Sequence, residues 1–341
     1  MRRMTGIAAL WAVCAAMGNP SPASACSVPV YRYALERWPA GLFTVSIAHA
    51  GDFTKDERAI VDALREAASR GAVNGTFVDV PTNESPATLV VEFPEDDGLT
   101  NLAWKGPFTA ETARQLLDSP VRRELVRRLV QGDSMVWMLL DGDPASATLL
   151  RTQLRALEQE IKPPEVDPGD PRTADNESLK TSFSILPVSR TDPAERVFVG
   201  LLLNTSPRLA DTNGPIAFPV FGRGRVLAGF AGETLNAAGI AEACTYVCGA
   251  CSCEIKSQNP GVDLLIAANW DDSIAECVVK DPALPPLVSL SSLAAAAQPA
   301  PLAPVPVVPT ARLRRNLLIA SACVLAVALA GTLIALRRKL S

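Results

Sequence analysis

Between residues 40 and 250 the apolar positions switch repeatedly between runs suited to strands and the 3.6-residue period of amphipathic helices, a pattern that predicts an α/β architecture. FTVSIAHA (43–50) reads as a strand. Thr54-Lys55-Asp56-Glu57 then forms a capping box, and Ile60, Ala63, Leu64 and Ala67 mark one helix face before Gly71 ends it. GTFVDV (75–80) and, after Ser85-Pro86, ATLVVEF (87–93) are two further strands. LAWKGP leads into a helix with Ala113, Leu116 and Leu117 on one face. Ser119-Pro120 supplies an N-cap and an N1 proline for another helix, which Gly132 closes.

The order then repeats. MVWMLLDG (135–142) is a strand, residues 146–161 a helix and TSFSILPVS (181–189) a strand, while Asp192-Pro193 opens RVFVGLLLN, whose type the pattern leaves ambiguous. After Gly214-Pro215 come IAFPVF and RVLAGF around a tight Gly222-Arg223-Gly224 turn, followed by a helix from near Glu233. Each half reads β-α-β, a connection, a proline, β-β, α. That order resembles the thioredoxin fold, with Pro86 and Pro215 at the positions where a proline precedes the penultimate strand. The resemblance implies two tandem domains, 26–132 and 133–280. It lacks the motif of thioredoxin-type enzymes, a CxxC after the first strand, where a helix N-terminus lowers the thiol pKa. The matching segments, HAGDFTKD and DGDPASAT, contain no cysteine.

The two ends carry addresses rather than fold. Met1-Arg2-Arg3, an apolar run from Ile7 to Met17 and Ala23-x-Ala25 make a signal peptide over 1–25. Cleavage there would leave Cys26 first, which opens the alternative of lipidation. NLLIASACVLAVALAGTLIAL (316–336) has no charged residue over 21 positions and would span about 30 Å as a helix. Arginines and a lysine flank it on both sides, so the charge count does not orient it. Translocation of the body does, leaving 337–341 in the cytoplasm. Residues 281–315, dense in Pro and Ala, read as a semi-rigid stalk. The chain is thus expected to be a single-pass membrane protein with its body on the periplasmic side.

Charge supports this division. The formal net charge is −4, yet residues 1–25 and 312–341 hold eight of the 32 basic residues and no acidic one. The body therefore sets 24 basic residues against 36 acidic, which argues against a nucleic-acid partner.

In detail the chain resembles a family of exported, membrane-anchored bacterial proteins, in CSVPVYRYALERW (26–38), AFPVFGRGRVL (217–227) and CGACSCEIKSQNPGVDLL (248–265). The resemblance implies shared architecture and brings no activity with it.

Six cysteines remain once Cys14 leaves with the signal and Cys323 is set aside in the membrane: Cys26, Cys244, Cys248, Cys251, Cys253 and Cys277. An even number in an exported protein favours structural disulfides. Two other uses stay open. The Cys248-Gly-Ala-Cys251 pair has the spacing for thiol-disulfide exchange, and Cys244, Cys248, Cys251 and Cys253 together are a thiolate set for zinc or copper. The CxxxCxxC spacing also matches an iron–sulfur site of radical-SAM enzymes, but such a motif belongs near the front of a cytoplasmic barrel. His49, the only histidine, ends the first strand with no nucleophile motif beside it. No phosphate-binding loop or dinucleotide fingerprint is present, so no cofactor is expected. The balance favours a non-enzymatic component of the cell envelope that binds another protein.

Overall fold

Side chains of β1 (Phe43–His49) divide cleanly, with Phe43, Val45 and Ile47 buried on one side and Thr44, Ser46 and Ala48 facing the other. This strand is the centre of the first of two sheets in the computed structural model, which describes residues 28–83, 85–95, 102–168, 173, 179–251 and 255–275. The expected signal peptide, stalk, membrane helix and tail, and Cys26, Cys253 and Cys277, lie outside these residues. Among the described residues no helix is long and apolar enough to cross a membrane.

The first sheet continues with α2 (Lys55–Ser69), β2 (Gly75–Pro81), β3 (Thr88–Glu92) and β4 (Leu102–Pro107), after the short helix α1 (Val30–Arg37). Thr54 caps α2 as expected, its side chain accepting from the Glu57 N–H while the Glu57 carboxylate accepts from the Thr54 N–H. The strand order is β2-β1-β3-β4, with β1 and β2 parallel and β3 and β4 antiparallel to their neighbours. Ser85-Pro86, just before β3, is a cis peptide. LAWKGP, read as a lead-in to a helix, is itself the edge strand β4. It is followed by α3 (Ala110–Leu117) and α4 (Pro120–Val130), the latter capped by Ser119 with Pro120 at its start.

The second sheet repeats the order. β5 (Met135–Leu140), α5 (Pro144–Glu160) and β6 (Phe183–Val188) form a parallel β-α-β unit, and β7 (Ile216–Phe221) lies antiparallel on the other side of β5. Helix α5 begins two residues earlier than expected because the Asp143 side chain caps the Ser146 N–H. The strand expected over RVLAGF is two short pieces, β8 (Arg225–Val226) and β9 (Phe230–Ala231), both on β7. Gly229 between them abuts Leu209 and Phe218, with no room for a Cβ. The final helix α7 (Ala237–Cys248) starts after Glu233, since Asn236 is the residue that caps it, and β10 (Val262–Asp263) and α8 (Trp270–Ala275) close the described chain.

RVFVGLLLN resolves as α6 (Arg196–Leu203), a helix apolar on nearly every side. Its pattern was ambiguous because both faces are used: Val197 and Leu201 join the core of the first sheet, Phe198, Val199 and Leu202 that of the second. Packing therefore crosses the midpoint of the sequence. Helix α1 packs with α5, α7 and one face of the second sheet through Val30, Ala34 and Trp38, while Tyr31 and Leu35 are only half-buried. Helix α4 also packs on the second sheet, through Leu125 and Leu129.

Three buried polar side chains hold the crossing. The Asn74 amide donates to the carbonyls of Gly41 (2.8 Å) and Leu264 (3.0 Å) and accepts from the Ile266 N–H (2.8 Å). Arg122, wholly buried over the Phe198 ring, donates to the carbonyls of Leu116, Leu265 and Gln115, and burial pulls its pKa down to about 10. Asp263 takes Arg225 at 2.8 Å on one oxygen and the Gly41 N–H and Lys256 ammonium on the other. Polar groups this deep persist because each is answered; an unanswered one costs about 1–3 kcal/mol. Both sheets lie within one compact unit.

Candidate functional site

Helix α7 positions the cysteines. Asn236 starts it by accepting from the Gly239 N–H (3.0 Å), and Gly249 ends it. Cys244 and Cys248 are therefore one turn apart on its inner face, and the chain bends after Gly249 so that Cys251 returns to the same core. All three are at most 1% exposed. They pack among Val28, Val30, Trp137, Leu154 and Val247, in the core between α1, α5, α7 and the second sheet.

The bend is held by the start of the described chain. Pro29 and Ala250 form an antiparallel bridge, in which the Val30 N–H donates to the Gly249 carbonyl (3.0 Å) and the Cys251 N–H to the Val28 carbonyl (2.9 Å). Val28-Pro29 and Gly249-Ala250-Cys251, each inside a segment singled out in the sequence, are thus neighbours although more than 200 residues separate them.

Burial shifts the titration of this cluster. It pushes the Cys248 thiol up to about 12. Burial and the adjacent Cys248 push Cys244 up as well, against a weaker opposing contact from the Trp137 indole. Exchange and metal capture both use the thiolate, the form that this burial disfavours. Among the described residues no group of three His, Cys, Asp or Glu side chains is placed to hold a metal ion. Cys26, Cys253 and Cys277 lie outside the described residues.

The loops after β1 and β5, where a reactive motif was sought, are occupied otherwise. His49 stacks on Phe53 with ring centroids 3.8 Å apart and its Nδ1 lies 2.8 Å from the Gly51 carbonyl, an arrangement internal to its own turn. After β5, Asp141 adopts a left-handed backbone (φ +48°) and binds Arg190 through both the backbone N–H (2.9 Å) and the guanidinium (2.6 Å). Burial pushes that carboxyl up, but the Arg190 hydrogen bonds outweigh it and hold the pKa below the usual aspartate range.

Two surfaces went unnoticed in the sequence. Among the described residues no helix covers one face of the first sheet. Its rows follow from register: Thr76, Thr44, Glu92 and Leu102; Val78, Ser46, Val90 and Lys105; Val80, Ala48, Thr88 and Pro107. Val78, Val80 and Leu102 are 41%, 37% and 49% exposed. An adjoining groove of about 740 Å³ shares Thr44 with this face and includes exposed Leu42 and Ile255. These five are all the large apolar side chains that stand exposed among the described residues. The alternation in FTVSIAHA and GTFVDV was the available signal. The second surface is a cleft of about 780 Å³ beside β6, reached from α5 and from the turn before α6.

No family model matches the chain, and no curated protein matches it. Among solved structures, a structure of the first two thioredoxin domains of Saccharomyces cerevisiae Eps1p aligns over 60% of this chain and 91% of its own length, at 10% identity and a TM-score of 0.18. Likeness at that level carries no structural argument.

Proposed function

We propose that the chain is a non-enzymatic, membrane-anchored envelope protein in which two thioredoxin-like units serve to bind another protein. The thioredoxin-like reading is supported by the shared order of the two sheets, a central strand flanked by a parallel partner on one side and an antiparallel hairpin on the other, with Pro86 and Pro215 just ahead of the hairpin strands. The observation that carries the non-enzymatic part is the state of the thiols: Cys244 and Cys248 are sealed in a core, and Cys248 is held at about 12. No cysteine stands in either loop where such a unit would present one.

Partner binding is supported by the uncovered sheet face. Apolar Val78, Val80 and Leu102 with Glu92 and Lys105 among them make a surface of mixed character, of the kind used between proteins rather than for a small molecule. Purified protein should catalyse neither insulin reduction nor dithiol oxidation. Turnover that disappears in Cys248→Ser and Cys251→Ser would overturn the proposal. A photo-crosslinking residue at Val78 should trap a protein in the native envelope, whereas one at Arg127 on the exposed side of α4 should not.

A further inference from the structure

The cleft beside β6 runs along α5, which turns Arg151, Leu154, Arg155 and Glu158 toward it at helical spacing, and ends at Asp192, Glu195 and Val121. It follows the whole of β6, from Phe183 at the start of the strand to Val188 and Asp141 at the carboxyl ends of the parallel pair β5 and β6, and its volume is in the range of small-molecule sites.

Strand addition is poorly served here. β6 is an edge, but the Phe183 N–H donates to Glu158 (2.7 Å), the Ile185 carbonyl accepts from Arg128 (3.0 Å), and Pro187 has no N–H. A bound molecule would have to be held by side chains.

Most acids of the cleft are already answered. Asp141 has Arg190, Glu158 has the Phe183 N–H and Asp192 accepts from the Ala194 N–H (2.9 Å). Glu195 is different. It is 1% exposed, one oxygen accepts from the Val121 N–H (2.8 Å), and the other is buried with no hydrogen-bond partner. Arg122 is near enough to be affected by its charge, yet donates instead to the Gln115, Leu116 and Leu265 carbonyls and the Ser119 hydroxyl. Arg151 and Arg155 form no ion pair among the described residues. The cleft thus offers a buried carboxylate oxygen at one end, two cations along one wall, and Leu139, Phe183, Ile185 and Val188 between.

We propose that this cleft binds a short apolar peptide with free ends, its ammonium on Glu195 and its carboxylate on Arg151 and Arg155. The charges match a zwitterion in both signs, and the apolar wall suits its side chains. The site is separate from the uncovered face of the first sheet and does not depend on the partner-binding reading.

Isothermal titration of the full chain with leucyl-leucine tests it, with N-acetyl-leucyl-leucine and leucyl-leucine amide as the ligands lacking one charge each. Saturable binding of the dipeptide is expected, weakened about tenfold or more by either modification. In Arg151→Leu/Arg155→Leu, two exposed positions, dipeptide and amide should bind alike. In Glu195→Gln, which keeps an acceptor for the Val121 N–H, dipeptide and acetylated dipeptide should bind alike. No binding at millimolar dipeptide overturns the proposal, as does affinity indifferent to both modifications. The ligand comparison on the unaltered chain stands even if Glu195→Gln does not fold.

Discussion

The two sheets share one strand order and differ in how they are covered. In the second, every residue of β5 and of β7 is buried, because α1, α5 and α7 pack on one face and α4, α6 and α8 on the other. In the first, β1 and β3 bury alternate residues, and α2, α3 and part of α6 cover a single face. MVWMLL and IAFPVF are continuous apolar runs, while FTVSIAH and TLVVE carry polar or half-buried residues at every second place. Equal topology therefore allows unequal covering: one sheet is enclosed on both faces, and the other, among the described residues, is covered on one.

Substitutions can break this contrast. The largest effect is expected where both halves meet: Asp263→Ala leaves the Arg225 guanidinium buried without its carboxylate and should cost about 3–5 kcal/mol, read from denaturant unfolding. Trp137→Ala, in the doubly covered β5, should cost about 3–4 kcal/mol. Next comes alkaline pH. Folded Cys244 and Cys248 hold their protons above the ordinary value near 9, so their contribution to stability is whole below pH 9. It declines as pH rises toward 12, by about 1 kcal/mol per pH unit for each thiol. Cys244→Ala/Cys248→Ala should flatten that decline, and neither native thiol should react with a thiol reagent at pH 8 until the protein unfolds. Asn236→Ala, which uncaps α7, should cost about 1 kcal/mol. Val78→Thr and Val80→Thr should be smallest, within about 0.5 kcal/mol, while lowering crosslinking through the open face.

Much of this was readable locally. The Thr54 box and the Ser119-Pro120 start act within four residues, so composition alone announces them. Helix α6 was opaque because a helix wedged between two sheets loses the polar side that gives periodicity its meaning. The spacing of Cys244 and Cys248 puts them one turn apart on a helix, but nothing local tells that Val28 and Pro29 close over the core they share with Cys251, since that pairing spans the whole body. The cleft beside β6 draws on residues from 121 to 195, and nothing in any one of those segments marks Glu195 as the buried group among several acids.

The bridge between Pro29 and Ala250 has a consequence for how such a chain becomes native as it is made. That early stretch must wait for nearly all the rest before its contacts exist, so α1 stays uncovered until α7 and the turn after it are made. Closing so distant a pair late favours slow, all-or-none completion over stepwise maturation of two halves. During that wait Val30, Ala34 and Trp38 face water, an interval in which the newborn chain is open to capture by chaperones or by its own copies.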